Sequence, residues 1–262
     1  MKCRIFLITI SIALVTASPV ASQTDATETD VLVRVLARGA KLIGDAVGGA
    51  RITVTDVETG DVLASGITEG NTGDTELIMT RPREGDTAVF ETPGAAGWLA
   101  RLPLRRPTRV EITAEGPLDY PQATARSSKT LLLAPGEDVV GDGVVLELNG
   151  FIVELLEPAG AATGADIPVR ARVRMLCSCP TAPDGLWSVE WVDARLISDG
   201  RVVAETPLEF SGETSIYTGR IRAPGPGSYT LEIGASDGAT ANFGTVGRRI
   251  EVPAAGSRRG SL

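Results

Sequence analysis

The chain has 262 residues, with 33 acidic against 25 basic side chains, no histidine and a net charge of −8. That balance disfavours nucleic acid and anionic lipid as partners. The missing imidazole removes the usual base for a serine or cysteine nucleophile, the common zinc-protease arrangement and the ligands of most copper and zinc centres.

The opening stretch MKCRIFLITISIALVTASPVAS sets Lys2 and Arg4 before an apolar run from Ile5 to Val15 and ends in small residues. This pattern predicts a secretory signal peptide over residues 1–22, cleaved near Ser22. The run is shorter than the roughly 20 residues a spanning helix needs, so no integral membrane segment is expected after cleavage. Cys3 leaves with the leader, and the product carries 23 basic against 33 acidic residues, a net charge of −10. A periplasmic or secreted location follows as an expectation.

Beyond the leader, segments of four to eight residues rich in Val, Ile, Leu and Thr alternate with Gly, Pro, Asp and Asn clusters, which predicts an all-β protein. In the first half strands are expected at Val31–Leu36, Arg51–Asp56, Val62–Thr68, Glu76–Thr80, Ala88–Glu91, Trp98–Leu104, Thr108–Ala114, Ala123–Leu132 and Val144–Leu148. The clearest hairpin is RITVTDVETGDVLASGIT, in which Ile52, Val54, Val62 and Ala64 are expected to share a buried side and ETGD supplies the turn glycine. In the loop EGNTGDTE, Glu69 to Glu76, oxygen side chains suit calcium, but the spacing is that of a solvated turn. RLPLRRPTR, Arg101 to Arg109, is a local cationic patch whose arginines are expected to stay in water.

The second half opens at LNGFIVELLEP and continues with DIPVRARVRM, where Val169, Ala171, Val173 and Met175 alternate with Arg170, Arg172 and Arg174. One apolar and one cationic face make this a half-buried strand. Further strands are expected at Leu186–Ile197, Arg201–Phe210, Ser215–Arg222, Ser228–Ala235 and Val246–Val252. Alternation sets Trp187, Val189 and Trp191 on one face, with at least one tryptophan in the core. The length of about 240 residues suits two tandem β-sandwich domains, 23–150 and 151–253, followed by a flexible tail over 254–262.

The segments GGARITVTDVETGDVLASGIT, WLARLPLRRPTRVEITAEGPLDYP and LLLAPGEDVVGDGVVLEL together resemble the carboxypeptidase regulatory-like domains, over about Thr29 to Leu148. That resemblance implies a transthyretin-like β-sandwich acting as a non-catalytic accessory or adhesion module. Transthyretin-like enzymes that hydrolyse a purine breakdown product depend on histidines, which are missing here. GPGSYTLEIGASDG resembles the penultimate strand of an immunoglobulin or fibronectin-like domain, with Tyr229, Leu231, Ile233 and Ala235 inward. An inter-sheet cysteine pair of the antibody type is absent, so only the fold is implied.

RMLCSCP, Arg174 to Pro180, contains both cysteines outside the leader. Continued strand geometry would project Met175, Cys177 and Cys179 from one face, a sulfur set that suits Cu(I). The same face is the core face, where free sulfur side chains are common. An oxidising compartment favours a disulfide instead, which requires the strand to end, and Pro180 supplies the reason. All three readings stand at this level. The expected function is a non-catalytic exported binding or accessory module, without a cofactor, that recognises a protein or cell-envelope component, including by strand addition at a sheet edge. The alternative is a periplasmic copper-handling protein using Met175, Cys177 and Cys179, and a carboxylate-based hydrolase is the weakest reading.

Overall fold

The computed structural model describes residues 25–82, 85, 87–158 and 165–254. The predicted signal peptide, and all of the predicted tail except Ala254, lie outside the described residues. The protein is all-β, with fifteen strands in four sheets among the described residues. Two sheets come from β1 to β7 and two from β8 to β15, and the partition falls at Asn149 and Gly150.

In the first pair, β1 (Thr27–Ala37) lies between β4 (Trp98–Leu104), antiparallel, and β7 (Val139–Leu148), parallel. The facing sheet has the order β3 (Val62–Ile67), β2 (Arg51–Asp56), β5 (Thr108–Gly116), β6 (Ala125–Leu133). Period-two alternation sends Val31, Val33 and Val35 of β1 against Ile52 and Val54 of β2 and Val110 and Ile112 of β5, all fully buried. The expected hairpin forms, with Gly60 at φ 79° and the Asp56 carboxylate accepting the Glu58 N–H at 2.7 Å. Val62 nevertheless points to solvent, because a register shift between Val54 and Thr55 inserts one residue and turns the end of β3 over.

Two expected strands are absent. Glu76–Thr80 is a single helical turn, and Ala88–Glu91 is irregular. Both belong to a long connection from β3 to β4 that folds back over the outer face of the β1 sheet. There Leu42, Val89, Phe90 and Ala96 close a small satellite core around Leu36. Asp142, in the irregular part of β7 between Gly141 and Gly143, accepts the N–H groups of Val89 and Phe90 at 3.0 and 2.7 Å. Arg34, buried on the outer side of β1, donates to the carbonyls of Ala95 and Ala96 at 3.0 and 2.8 Å. A loop of this length would be costly to order without such fasteners.

The second pair has the orders β8 (Phe151–Glu157), β9 (Asp166–Met175), β13 (Ile216–Arg222), β12 (Glu209–Phe210) and β11 (Arg201–Pro207), β10 (Trp191–Ser198), β14 (Gly227–Asp237), β15 (Asn242–Val252). This is the A-B-E-D and C′-C-F-G arrangement of an immunoglobulin-like sandwich. Tyr229, near the start of β14, donates its hydroxyl to the Gly225 carbonyl at 3.0 Å, as in the tyrosine corner of such folds. Tyr229, Leu231, Ile233 and Ala235 are buried as expected.

The expected strand Arg201–Phe210 is instead two, because Pro207 cannot continue the ladder and the chain crosses from one sheet to the other there. The expected strand Leu186–Ile197 begins only at Trp191. Trp191 projects outward, 52% exposed, while Val192, Ala194 and Leu196 fill the core. The shared face expected for Trp187, Val189 and Trp191 therefore does not exist, since residues 182–190 are irregular and carry no strand alternation. Trp187 is half-buried and packs against the core.

On the outer side of β10, Gly234 of the neighbouring strand leaves room for the Asp193 carboxylate, since a Cβ there would lie 2.8 Å from Oδ1. Burial pushes the Asp193 carboxyl above its ordinary value of 3.8, and Arg195 beside it offsets this only in part. A raised folded-state value means that the proton favours the fold. Its contribution is complete below 3.8 and is lost as pH rises through the folded-state value. Asp193→Asn should therefore flatten the fall in stability above pH 4 and leave the neutral-pH urea midpoint equal or higher. Urea titrations from pH 4 to 7 check this, and a lower midpoint for the variant at pH 7 would contradict it.

Candidate functional site

The four sheets share one continuous hydrophobic core, and polar groups fix the junction. Asn242 at the start of β15 has no exposed surface. Its carboxamide oxygen accepts the Gly150 N–H at 2.8 Å, and its amide nitrogen donates to the Arg38 carbonyl at 3.0 Å. One side chain thus joins the β14–β15 hairpin, the connecting segment and the end of β1. Asn149 returns the contact by donating to the Thr240 carbonyl at 3.0 Å. On the other flank, Arg174 of β9 donates to the Tyr120 hydroxyl and to Glu154, both at 2.9 Å, and stacks 5.3 Å from the Tyr120 ring centre.

The segment Met175 to Cys179 forms the next layer. Strand β9 ends at Met175, the Ser178 N–H bonds the Met175 carbonyl at 2.8 Å, and the Met175 N–H bonds the Cys179 carbonyl at 3.0 Å. These bonds close a hairpin with a three-residue loop, in which Ser178 takes the left-handed position at φ 66°. On a regular strand residues two apart lie about 6.6 Å apart. The left-handed serine brings the Cys177 and Cys179 Cα atoms to 5.4 Å and their sulfurs to disulfide distance. The Ser178 hydroxyl accepts from Arg174, so the turn is tied to the Tyr120 contact across the junction.

Of the expected sulfur set, Met175 stays on the core face of β9 with Val169 and Val173, while Cys177 and Cys179 leave the strand within the turn. Both cysteines are buried, at 1% and 5% exposure. Among the described residues no group of three or more His, Cys, Asp or Glu is placed to hold a metal ion. In EGNTGDTE the oxygens of Asn71 and Asp74 cap the N–H groups of Gly73 and Leu77 at 2.8 and 2.9 Å, the bonding of a turn. In the Arg101–Arg109 patch, Arg101 and Arg106 face Asp30 and Glu58.

Beside the disulfide lies a cleft of about 400 Å³. Lys41, Ala46, Thr72 and Thr75 line it from the first half of the chain, and Cys177 to Pro180, Leu186 and Trp187 from the second. The Lys41 ammonium donates to the Thr75 hydroxyl at 2.9 Å, and the Leu42 N–H bonds the Thr72 carbonyl at 3.2 Å, which fixes that wall. On the opposite wall the Ala182 N–H bonds the Trp187 carbonyl at 2.9 Å. The cysteines and Trp187 stand out in the sequence and Thr72 and Thr75 fall in the loop EGNTGDTE, read there as a solvated turn, whereas Lys41 and Leu186 were missed. The one available signal was rarity, since Lys41 is one of three lysines beside 22 arginines.

No known protein family and no curated protein matches the chain. Solved structures show a likeness, among them the following three. An engineered protein is 23% identical, covering 46% of this chain and 24% of its own, with a TM-score of 0.30, so this chain spans about a quarter of that protein's length. The fibronectin(III)-like modules of Clostridium thermocellum CbhA are 14% identical, covering 90% and 98%, at 0.31. A marsupial T cell receptor is 11% identical, covering 87% and 73%, at 0.27. These scores are too low to carry an assignment, and the immunoglobulin-like description rests on strand order and the Tyr229 corner.

The junction and the disulfide should differ in weight. Asn242→Ala leaves the Gly150 N–H and the Arg38 carbonyl without partners and should cost about 2 to 4 kcal/mol. Closing a three-residue loop restricts the unfolded chain by about 1.6 kcal/mol, so reducing the Cys177–Cys179 bridge, with both thiols left in place, should cost less. Chemical denaturation of Asn242→Ala and of the reduced wild type tests the order, and the reverse order would show that the disulfide dominates.

Proposed function

We propose that the chain is an exported, non-catalytic binding or accessory module that recognises a protein or cell-envelope component through the cleft at its junction. The observation that supports this reading is that both halves contribute walls to one cleft while Asn242 and Arg174 hold them in register. A preformed concave site loses little freedom on binding. The resemblance of the first half to carboxypeptidase regulatory-like domains fits an accessory role. Strand addition at the edge strand β11 is a poorer mode, because Val203 is bulged out of register and Pro207 ends the strand.

The experiment is affinity capture from an envelope extract with the mature protein, in parallel with Leu186→Asp. Leu186 is 55% exposed, so the variant should fold normally. A partner retained by the wild type and lost with the variant is the expected result. Equal retention by both would move the recognition surface away from the cleft.

A second reading is Cu(I) handling by Met175, Cys177 and Cys179, favoured by the meeting of the two cysteine sulfurs in the turn that follows Met175. It requires the reduced form. Competition of the reduced protein with a Cu(I) chelator is its test, and failure to hold one equivalent ends it.

A further inference from the structure

We infer that the junction cleft takes an anionic ligand with an apolar body, a carboxylate carried on an aliphatic or aromatic group. This rests on the reading of the cleft as a binding site and adds the chemistry of its occupant. Among the described residues that line the cleft, Lys41 is the only charged one, and none is acidic. Among the described residues, every ion pair is formed by an arginine, and no carboxylate lies within pairing distance of the Lys41 ammonium. Its hydrogen bond to Thr75 occupies one of its three donors.

The base of that ammonium is rigid. The Lys41 carbonyl accepts the Ala37 N–H at 2.9 Å, and the next residues, Leu42 and Ile43, are fully buried. Leu186, Trp187, Pro180 and the Cys177–Cys179 bridge supply the apolar surface opposite, with the hydroxyls of Thr72 and Thr75 on Lys41's own wall. One fixed cation among hydroxyls and apolar groups matches a single negative charge on an apolar body. A doubly charged phosphate is matched better by a bidentate arginine or an N–H nest than by one lysine, and no arginine is among the described residues of this lining. On a chain of net charge −8, diffuse attraction of anions is unfavourable, so any carboxylate preference reports the cleft itself.

The test uses two pairs of probes followed by tryptophan fluorescence: 3-phenylpropanoate with its amide, and an acetylated pentapeptide ending in leucine as the free acid or the amide. At least one acid should bind tenfold or more tightly than its amide. Lys41→Gln should bring that ratio close to one without moving the melting temperature, and Trp187→Phe, followed by calorimetry, should weaken acid and amide alike. Binding of the peptide acid alone identifies a polypeptide C-terminus as the source, and binding of both acids a free carboxylate. Equal affinity of acid and amide, no binding by any probe at millimolar concentration, or a ratio unchanged by Lys41→Gln would overturn the inference. If extract capture through Leu186 succeeds while the acids show no preference, the ligand chemistry is wrong and the binding module stands. If the acids bind and capture fails, the cleft serves a small molecule instead of an envelope partner.

Discussion

The carboxamide of Asn242 is the contact on which the arrangement of the two halves depends. It is wholly buried, and its two ends satisfy backbone groups from separate parts of the chain, Gly150 and Arg38. A polar group in such a place is costly unless both ends are paired. Here pairing is possible in one geometry only, because the two backbone partners are themselves held by β1 and by the start of β8. Hydrophobic contact across the junction is non-directional and would tolerate several orientations. The amide admits one, and so defines where the cleft walls stand.

The same logic recurs at two smaller sites. Asp142 and Arg34 use charged side chains to satisfy backbone N–H and carbonyl groups of the long β3–β4 connection. That connection supplies Thr72 and Thr75 to the cleft, so the fasteners on the outer face of the β1 sheet also position part of the site. Arg174 acts likewise by reaching Tyr120, Glu154 and Ser178 at once.

Seen in this setting, the cysteine pair is a conformational element. Its ring is too small to restrict the unfolded chain strongly, and little of either cysteine is exposed beside the cleft. What it does is hold Ser178 in a left-handed conformation that a non-glycine residue rarely adopts. That conformation carries the hydroxyl to Arg174 and the backbone of Cys179 and Pro180 to the cleft edge.

Much of this architecture is legible in the sequence. Alternation in VLVRV, RITVTD and DIPVRARVRM fixes which faces are buried, because side chains two apart must share a side of a strand. GSYTLEIGAS reads as an inner strand, whereas β9 ends at Met175, ahead of the Pro180 that the sequence offers as its stop. Elsewhere local pattern misleads. Glu76–Thr80 and Ala88–Glu91 are apolar enough to be strands, but they cover a satellite core, where burial imposes no period of two. Leu186 to Glu190 alternates by chance within a loop. Composition alone excluded imidazole chemistry, and alternation alone determined an all-β chain. The cleft was decided by tertiary structure, because Lys41, Thr75, Ser178 and Trp187 are distant in sequence and meet only where Asn242 and Arg174 pair with groups that no local pattern reveals.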